Sequence, residues 1–505
     1  MLIYMRRQFM TENTARQGGV LLHITSLPGK EYVGTLGAEA RRFVDFLNAA
    51  GMRVWQVLPV GPTGYGESPY QSACALAGNP NMIDLETLSN EGLLPDYVSP
   101  NAPETGYADF ENLRRTKDQT LRRAYANARE GLIAENAFDA WCEKWPWLHD
   151  YALFVAVKVH FGNISWMEWP DQDIRLRKPE AMAKYEAELL EEVRYQMFLQ
   201  FLFRRQWDAL REYAHSKNVI ILGDMPIYVA EDSSDVWANA EFFQLDEECH
   251  PRRVAGVPPD YFSEDGQLWG NPLYRWTHLK RHGYGFWMDR LRGMAQLFDR
   301  VRIDHFIGFA NYYSVAAGAK NARKGRWIVG PGLDFFKKVK KDIPELDVVA
   351  EDLGAVNDRV RALLKGCGYP GMRVMQFGFD HDETNPHILE NHVENCVAYT
   401  GTHDNDTTLG WWMAANDDLK WGVGEVLGDV NDENIVDKMM DVVFSGPANT
   451  AVVPMWDVLK LGSERRMNTP GTVGGNNWRF RITSADINDA LAQKLRALNE
   501  KTERL

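Results

Sequence analysis

Eight short apolar runs, helical patterns between several of them, and carboxylates closing four of the runs predict an α/β fold. Specifically they predict a (β/α)8 TIM barrel with large insertions forming subdomains around its C-terminal rim. Length alone, at 505 residues, would allow roughly three domains, but an elaborated barrel reaches this size as one unit. The expected organisation is a flexible leader over 1–17, then a single barrel domain over 18–505. Insertions are expected at about 61–185 and 226–283.

The elements follow in order. Gly19 to Ile24 is a short, nearly continuous apolar run. From Thr35 to Gly51 the pattern is helical, with Phe43, Phe46 and Leu47 on one face and Gly51 suited to a helix end. Met52 to Val60 is a second strand, and strand–helix–strand is the signature of parallel pairing. The alternation then breaks. Residues 61–185 are rich in Gly, Pro, Tyr and Trp, with helical pieces such as Phe110–Arg129. A long helix over Glu186–Lys217 leads into a third strand, Val219–Asp224. Another irregular stretch over about 226–283 precedes helix Phe286–Phe298 and a fourth strand ending at Asp304. The remaining strand candidates are Asp347–Asp352, Gly371–Phe377, Cys396–Asp404 and Thr450–Trp456, with helices over 335–342 and 357–365. The link between the sixth and seventh strands shows no clear pattern.

Composition excludes several classes. A net charge of -14 argues against a nucleic-acid partner, which would call for a basic face. No apolar stretch is long enough for a membrane-spanning helix, so no membrane partner is expected. The five cysteines, Cys74, Cys142, Cys249, Cys367 and Cys396, are scattered without CxxC spacing. They read as free thiols in a reducing compartment, and the cytoplasm is the expected location.

The chemistry centres on Val301-Arg-Ile-Asp-His-Phe306. Strand alternation puts Arg302 and Asp304 on one side, and the guanidinium keeps the carboxylate ionised. Taken alone, this segment is better explained by an ordinary ion pair. Parallel strands, however, gather Asp224, Asp304, Glu351 and Asp404 at one rim. Crowded like charges raise at least one pKa, which leaves an acid beside ionised partners. Glycosidic cleavage needs that pair: one carboxylate to attack and one carboxylic acid to protonate the leaving oxygen. A zinc site using His305, His403 and the carboxylates is the competing idea. HxH and HExxH spacings are absent, so neither a metal nor a cofactor is expected. Gly330-Pro-Gly332 lacks the pattern of a phosphate cradle. The 17 Trp and 19 Tyr cluster in irregular segments, such as Trp166-Met-Glu-Trp169, Gln267-Leu-Trp-Gly-Asn271 and Trp411-Trp412. Such rings offer flat apolar platforms with polar edges, which suit a sugar.

Several motifs carry a resemblance over about Gly18 to Asn477. They are Leu22-His-Ile-Thr-Ser-Leu-Pro28, Gly64-Tyr-Gly-Glu-Ser-Pro-Tyr-Gln71, Ala77-Gly-Asn-Pro80, Gly223-Asp-Met-Pro-Ile-Tyr-Val229, Arg302-Ile-Asp-His305, Ala350-Glu-Asp-Leu-Gly354, Thr402-His-Asp404 and Asn477-Trp478. In this order they resemble the 4-α-glucanotransferases of the amylomaltase type, in glycoside hydrolase family 77. The resemblance implies transfer of a 1,4-α-glucan segment to the 4-hydroxyl of glucose or a maltooligosaccharide, with retention. It implies that Asp304 is the nucleophile, Glu351 the acid/base and Asp404 a third catalytic carboxylate. Arg302, His403, Asp224, Ser68, Tyr70, Gln267, Trp269, Asn477 and Tyr65 are the implied substrate-binding positions. The chain departs from the family at Ile307, where arginine is expected, and after Gln71, where Ser-Ala-Cys-Ala-Leu replaces a stretch richer in Ser and Phe. An α-glucan hydrolase and a catalytically silent glucan-binding protein are the alternative functions. The expected assembly is a monomer or weak homo-oligomer.

Overall fold

The computed structural model describes residues 16–129, 131–133, 136–259 and 263–505. The strands in chain order are β1 (Gln17–Leu21), β2 (Val54–Gln56), β3 (Ile220–Pro226), β4 (Arg253–Val257), β5 (Gln267–Pro272) and β6 (Arg300–Asp304). They continue as β7 (Asn311–Ala316), β8 (Arg326–Val329), β9 (Val348–Ala350), β10 (Gly371–Val374), β11 (Cys396–Tyr399) and β12 (Thr450–Pro454).

Eight of these form one parallel sheet in the order β10-β11-β12-β1-β2-β3-β6-β9. The first and last barrel strands are neighbours, with Gln17 opposite Thr450 and Leu21 opposite Pro454. The seam between β9 and β10 is drawn together by the Ala350 N–H, which donates to the Pro370 carbonyl at 2.8 Å. All eight expected barrel strands are therefore present. Their near-continuous apolar runs are what two-sided burial demands, and β12 and β11 are buried at every position.

The helices pack outside. Ala38–Ala49 presents Phe43 and Leu47 to the barrel, and Phe43 meets Trp55 of β2 edge-on at 5.0 Å. Gly51 ends that helix with φ +69°, a conformation glycine adopts without strain. The helix over Leu190–Ser216 packs on β3, and Gly285–Leu297 leads into β6. Gly223 in β3 is needed for space, because a Cβ there would lie 2.2 Å from the Phe298 ring.

Two differences from expectation stand out, one within the chain and one near its N-terminus. The stretch 226–283 was expected to be irregular, yet it contains β4 and β5. With β7 and β8 these make a four-stranded antiparallel sheet, ordered β5-β4-β7-β8. These strands show little apolar alternation; β8 reads exposed, exposed, intermediate, exposed. Between β10 and β11 only two short 3-10 turns occur, Met375–Phe377 and Leu389–Asn391. At the N-terminus, residues 1–15 of the expected leader lie outside the described residues. Gln17, assigned to that leader, opens β1, and Arg16 donates to the carbonyls of Phe444 and Gly446 at 2.8 and 2.6 Å.

Candidate active site at the carboxyl ends of the barrel strands

The expected carboxylates meet at one rim, at different depths. Asp304 closes β6, Glu351 follows β9 directly, and Asp224 lies inside β3 rather than at its end. Asp404 was placed at the end of a strand; β11 stops at Tyr399, and Asp404 sits on the loop beyond it.

Arg302 organises the floor. Its Nη1 donates to Asp224 Oδ2 at 2.6 Å, and its Nη2 donates to Asp304 Oδ1 at 2.9 Å. The Arg302 and Asp224 side chains are 4% and 0% exposed, whereas Asp304 retains 27%. Arg302, expected beside Asp304 as the group that keeps it ionised, contacts it directly, and both Arg302 and Asp224 are sealed beneath the rim. Burial raises the Asp224 pKa, and the Arg302 charge opposes that rise. The Tyr70 hydroxyl donates to Asp224 Oδ2 at 2.6 Å, tying the turn after Ser68 to the floor.

Glu351 is buried, and both its oxygens face backbone donors. Oε2 accepts from the His305 N–H at 2.6 Å, and Oε1 accepts from the Leu353 N–H at 2.8 Å. The first donor belongs to the residue that follows Asp304, so a hydrogen bond locks the two strand ends together. His305 takes a left-handed backbone, φ 51° and ψ 45°, as the chain turns off the strand. Burial pushes the Glu351 carboxyl up to about 8; the nearby Asp304 charge adds to this, and Arg302 and the two N–H groups oppose it. Burial also lowers the His305 imidazole to about 4, leaving it neutral against the Trp269 indole at 4.8 Å.

Asp404 is the most open of the four, at 45% exposure of its side chain. Asn468 Nδ2 donates to its Oδ1 at 2.6 Å, and His403 Nε2 lies 3.4 Å from its Oδ2. His403 stacks on Tyr70 at 5.2 Å with 9° between the rings. Among the binding positions, Trp269 Nε1 donates to Gln267 Oε1 at 3.2 Å, so these two act as a unit on β5. The Ser68 hydroxyl receives the Tyr70 N–H at 3.3 Å. Asn477 uses its side chain internally: Nδ2 donates to Thr472 Oγ1 and its carbonyl, and Oδ1 accepts from Thr469. It shapes the 469–477 loop. The Tyr65 side chain lies outside the described ones.

For a single tryptophan ordinary packing is the more frequent role, and it holds here for Trp166, Trp169 and Trp412. Trp166 and Trp169, read as sugar platforms, are 0% and 1% exposed, and Trp169 packs with Phe154 and Trp237 in the core. Ile307 is also core, 3% exposed. Sequence reasoning missed Asn468, which lies in a segment without a chemical pattern, and Asp457, although it directly follows the eighth apolar run. Tyr228 was quoted only as part of a motif; it packs between Trp269 and Tyr274. Among the described residues, the three-ligand grouping that could hold a metal lies elsewhere, at Glu241, His278 and His282.

A (β/α)8 barrel with a buried, proton-holding carboxyl beside an open carboxylate defines the class of carboxylate-dependent glycan-active enzymes. The comparisons narrow the class. The family model described as 4-alpha-glucanotransferase matches residues 22–487. The 4-alpha-glucanotransferase of Thermus thermophilus is 46% identical over 97% of this chain and 99% of its own. The chloroplastic/amyloplastic 4-alpha-glucanotransferase of Solanum tuberosum is 41% identical over 96% of this chain and 86% of its own. The amylomaltase from Streptococcus agalactiae, solved in complex with acarbose, superposes with a TM-score of 0.94 at 37% identity, over 97% and 99% of the two chains. The chain belongs to the 4-α-glucanotransferase family, and it is an enzyme that transfers α-1,4-glucan segments.

Proposed function

We propose that transfer runs by a retaining double displacement on Asp304 and Glu351. The Asp304 carboxylate attacks the anomeric carbon of the donor while Glu351 protonates the departing 4-oxygen. This breaks the glycosidic bond and forms a glycosyl ester on Asp304. The 4-hydroxyl of an acceptor then attacks the same carbon, Glu351 takes its proton, and the ester bond breaks. Atoms and charge return to their starting state. The observation that carries this reading is the Glu351 carboxyl, raised to about 8 and held at 2.6 Å by the N–H following Asp304. A group that keeps a proton near neutrality beside a partner that presents an open carboxylate meets both halves of the cycle.

Asp404, open and oriented by Asn468, binds hydroxyls of the donor sugar in this reading. Trp269, Gln267 and Tyr70 line the acceptor side, and Arg302 and Asp224 hold Asp304 in place. Ser68 and Asn477 shape the flanking turns, and Tyr65 is kept as a substrate-binding position on the family resemblance. The reading includes glucose and maltooligosaccharides as acceptors, a chain acting alone or in weak association, and a reducing, cytoplasmic setting. The last rests on five unpaired cysteines. It treats the two long connections after β2 and β3 as elaborations of one catalytic domain.

The test is maltotriose alone in isotopically labelled water. A bound, oriented acceptor competes with water through its effective molarity. The expected products are glucose with maltopentaose and longer chains, with almost no label at new reducing ends. Label in most new reducing ends at early times would make the enzyme chiefly a hydrolase.

A further inference from the structure

We propose that Glu241, His278 and His282 form a binding site for a divalent transition metal such as zinc, outside the glucan site. His278 and His282 stand four residues apart at the end of the helix Trp276–Arg281, so both rings lie on one face. Their ring centroids are 4.2 Å apart. The 3-10 turn Ala240–Phe242 brings Glu241 to the same point, with Oε2 3.2 Å from His278 Nε2. One ligand atom from each of the three lies within 4.8 Å of the others. The hydrogen bonding suits coordination. His282 Nδ1 contacts the His278 carbonyl at 3.0 Å, and donating there leaves Nε2 as a lone-pair ligand. A metal-bound histidine needs this tautomer, fixed by a partner on the other nitrogen.

Two imidazoles and a carboxylate suit zinc, nickel or copper, and water would complete a tetrahedral zinc shell. Magnesium and calcium prefer all-oxygen sites. Ligand bonds of about 2.0–2.2 Å call for a small inward closure, which the exposed His282 and Glu241 side chains can make. The geometry gives the metal a structural task. Glu241 and the two histidines come from opposite ends of the connection between β3 and β6. Those ends already meet through several bonds, among them the Arg275 N–H to Phe242 carbonyl at 2.7 Å and the Phe243–Tyr274 bridge. From there Tyr274 stacks on Tyr228, which touches Trp269 and His305. A bound ion would cross-link the base of the wall that carries Trp269.

Titration of the EDTA-stripped, full-length enzyme with zinc chloride by calorimetry tests this, with cobalt chloride as a spectroscopic probe. The expected result is one saturable zinc site per chain, visible cobalt d–d bands, and a melting temperature raised by zinc. His278→Ala, His282→Ala and Glu241→Ala should each weaken zinc binding by at least an order of magnitude. Each should keep wild-type transfer on maltotriose, because none of the three belongs to the glucan machinery. Binding that survives all three substitutions, or the absence of saturable zinc binding and cobalt bands in the parent, would overturn the proposal.

Discussion

Glu351 accepts backbone N–H groups on both oxygens, and this decides how its substitution behaves. Glu351→Gln would turn an amide NH2 toward the His305 or Leu353 N–H, placing donor against donor. We expect a stability loss of about 1–3 kcal/mol from the unpaired buried groups, together with a fall of roughly 10²–10⁴-fold in turnover of maltotriose. A maltosyl fluoride donor, whose leaving group needs no acid, should still glycosylate Asp304. Equal loss on both donors would remove Glu351 from the acid role. The pH dependence follows from the same group. In the proposed cycle the first step needs protonated Glu351, so kcat/KM on maltotriose should decline as pH passes about 8. The stability sign runs the same way. The folded carboxyl keeps a proton that an unfolded one, at the ordinary 4.5, has released. Its contribution to stability is therefore complete below about 4.5 and lost as pH rises through about 8. A flat kcat/KM profile from pH 7 to about 9 would contradict this. Arg302 gives a second prediction at this scale. Its two Nη atoms reach two different carboxylates, a fork that lysine cannot reproduce. Arg302→Lys should leave Asp224 or Asp304 unpaired and cost about 3–5 kcal/mol, visible as a lower denaturation midpoint together with lost transfer.

At the scale of elements, the loop after β11 is pinned at both ends by one buried carboxylate. Asp457, which follows β12, accepts from Thr400 Oγ1 at 2.6 Å and from Thr408 N–H and Oγ1 at 2.7 Å. The segment between carries His403 and Asp404. Asp457→Ala frees three buried donors, and we expect a stability loss of about 1–3 kcal/mol for each group left unsatisfied. Its distinctive effect should be on kcat more than on KM, since Asp404 loses its bearing while β5, with the proposed acceptor residues Gln267 and Trp269, stays in place. Unchanged kinetics in a folded Asp457→Ala enzyme would show that the loop holds its shape without this anchor. Ile307 belongs to the same scale. It is the second residue of the turn Phe306–Phe309 that follows β6 and packs into the core, so its side chain faces away from solvent.

Across the whole molecule, the two ends of the described chain close the barrel together. Arg504 is fully buried and donates to the carbonyls of Phe444 at 2.7 Å, Ala448 at 2.9 Å and Gln17 at 3.2 Å. It thus joins the residue that opens β1 to the approach to β12, and Arg16 donates to the same Phe444 carbonyl. Arg504→Ala leaves several buried carbonyls unsatisfied far from the rim. The expected outcome is a melting temperature lowered by several degrees, with kcat on maltotriose unchanged at moderate temperature. A large kcat loss without loss of stability would mean that barrel closure and site geometry are coupled.

The sequence by itself determined the barrel and the family to which the chain belongs. A strand buried on both faces must be a short apolar run, and eight such runs were legible because burial alone dictates their composition. That Asp304 and Glu351 would meet at one rim was legible because each directly ends an apolar run, and parallel strands bring such ends together. The small antiparallel sheet was hidden, because β8 is exposed and writes no apolar alternation into the chain. Only the tertiary structure decided depth and partnership. Trp166 and Trp269 look alike in sequence, yet one is core and the other faces His305. Asp224 and Asp304 look alike too, yet Arg302 seals one and presents the other. The reason is physical. Composition records whether a segment is buried, whereas the role of a polar or aromatic group depends on partners that folding brings from tens to hundreds of residues away.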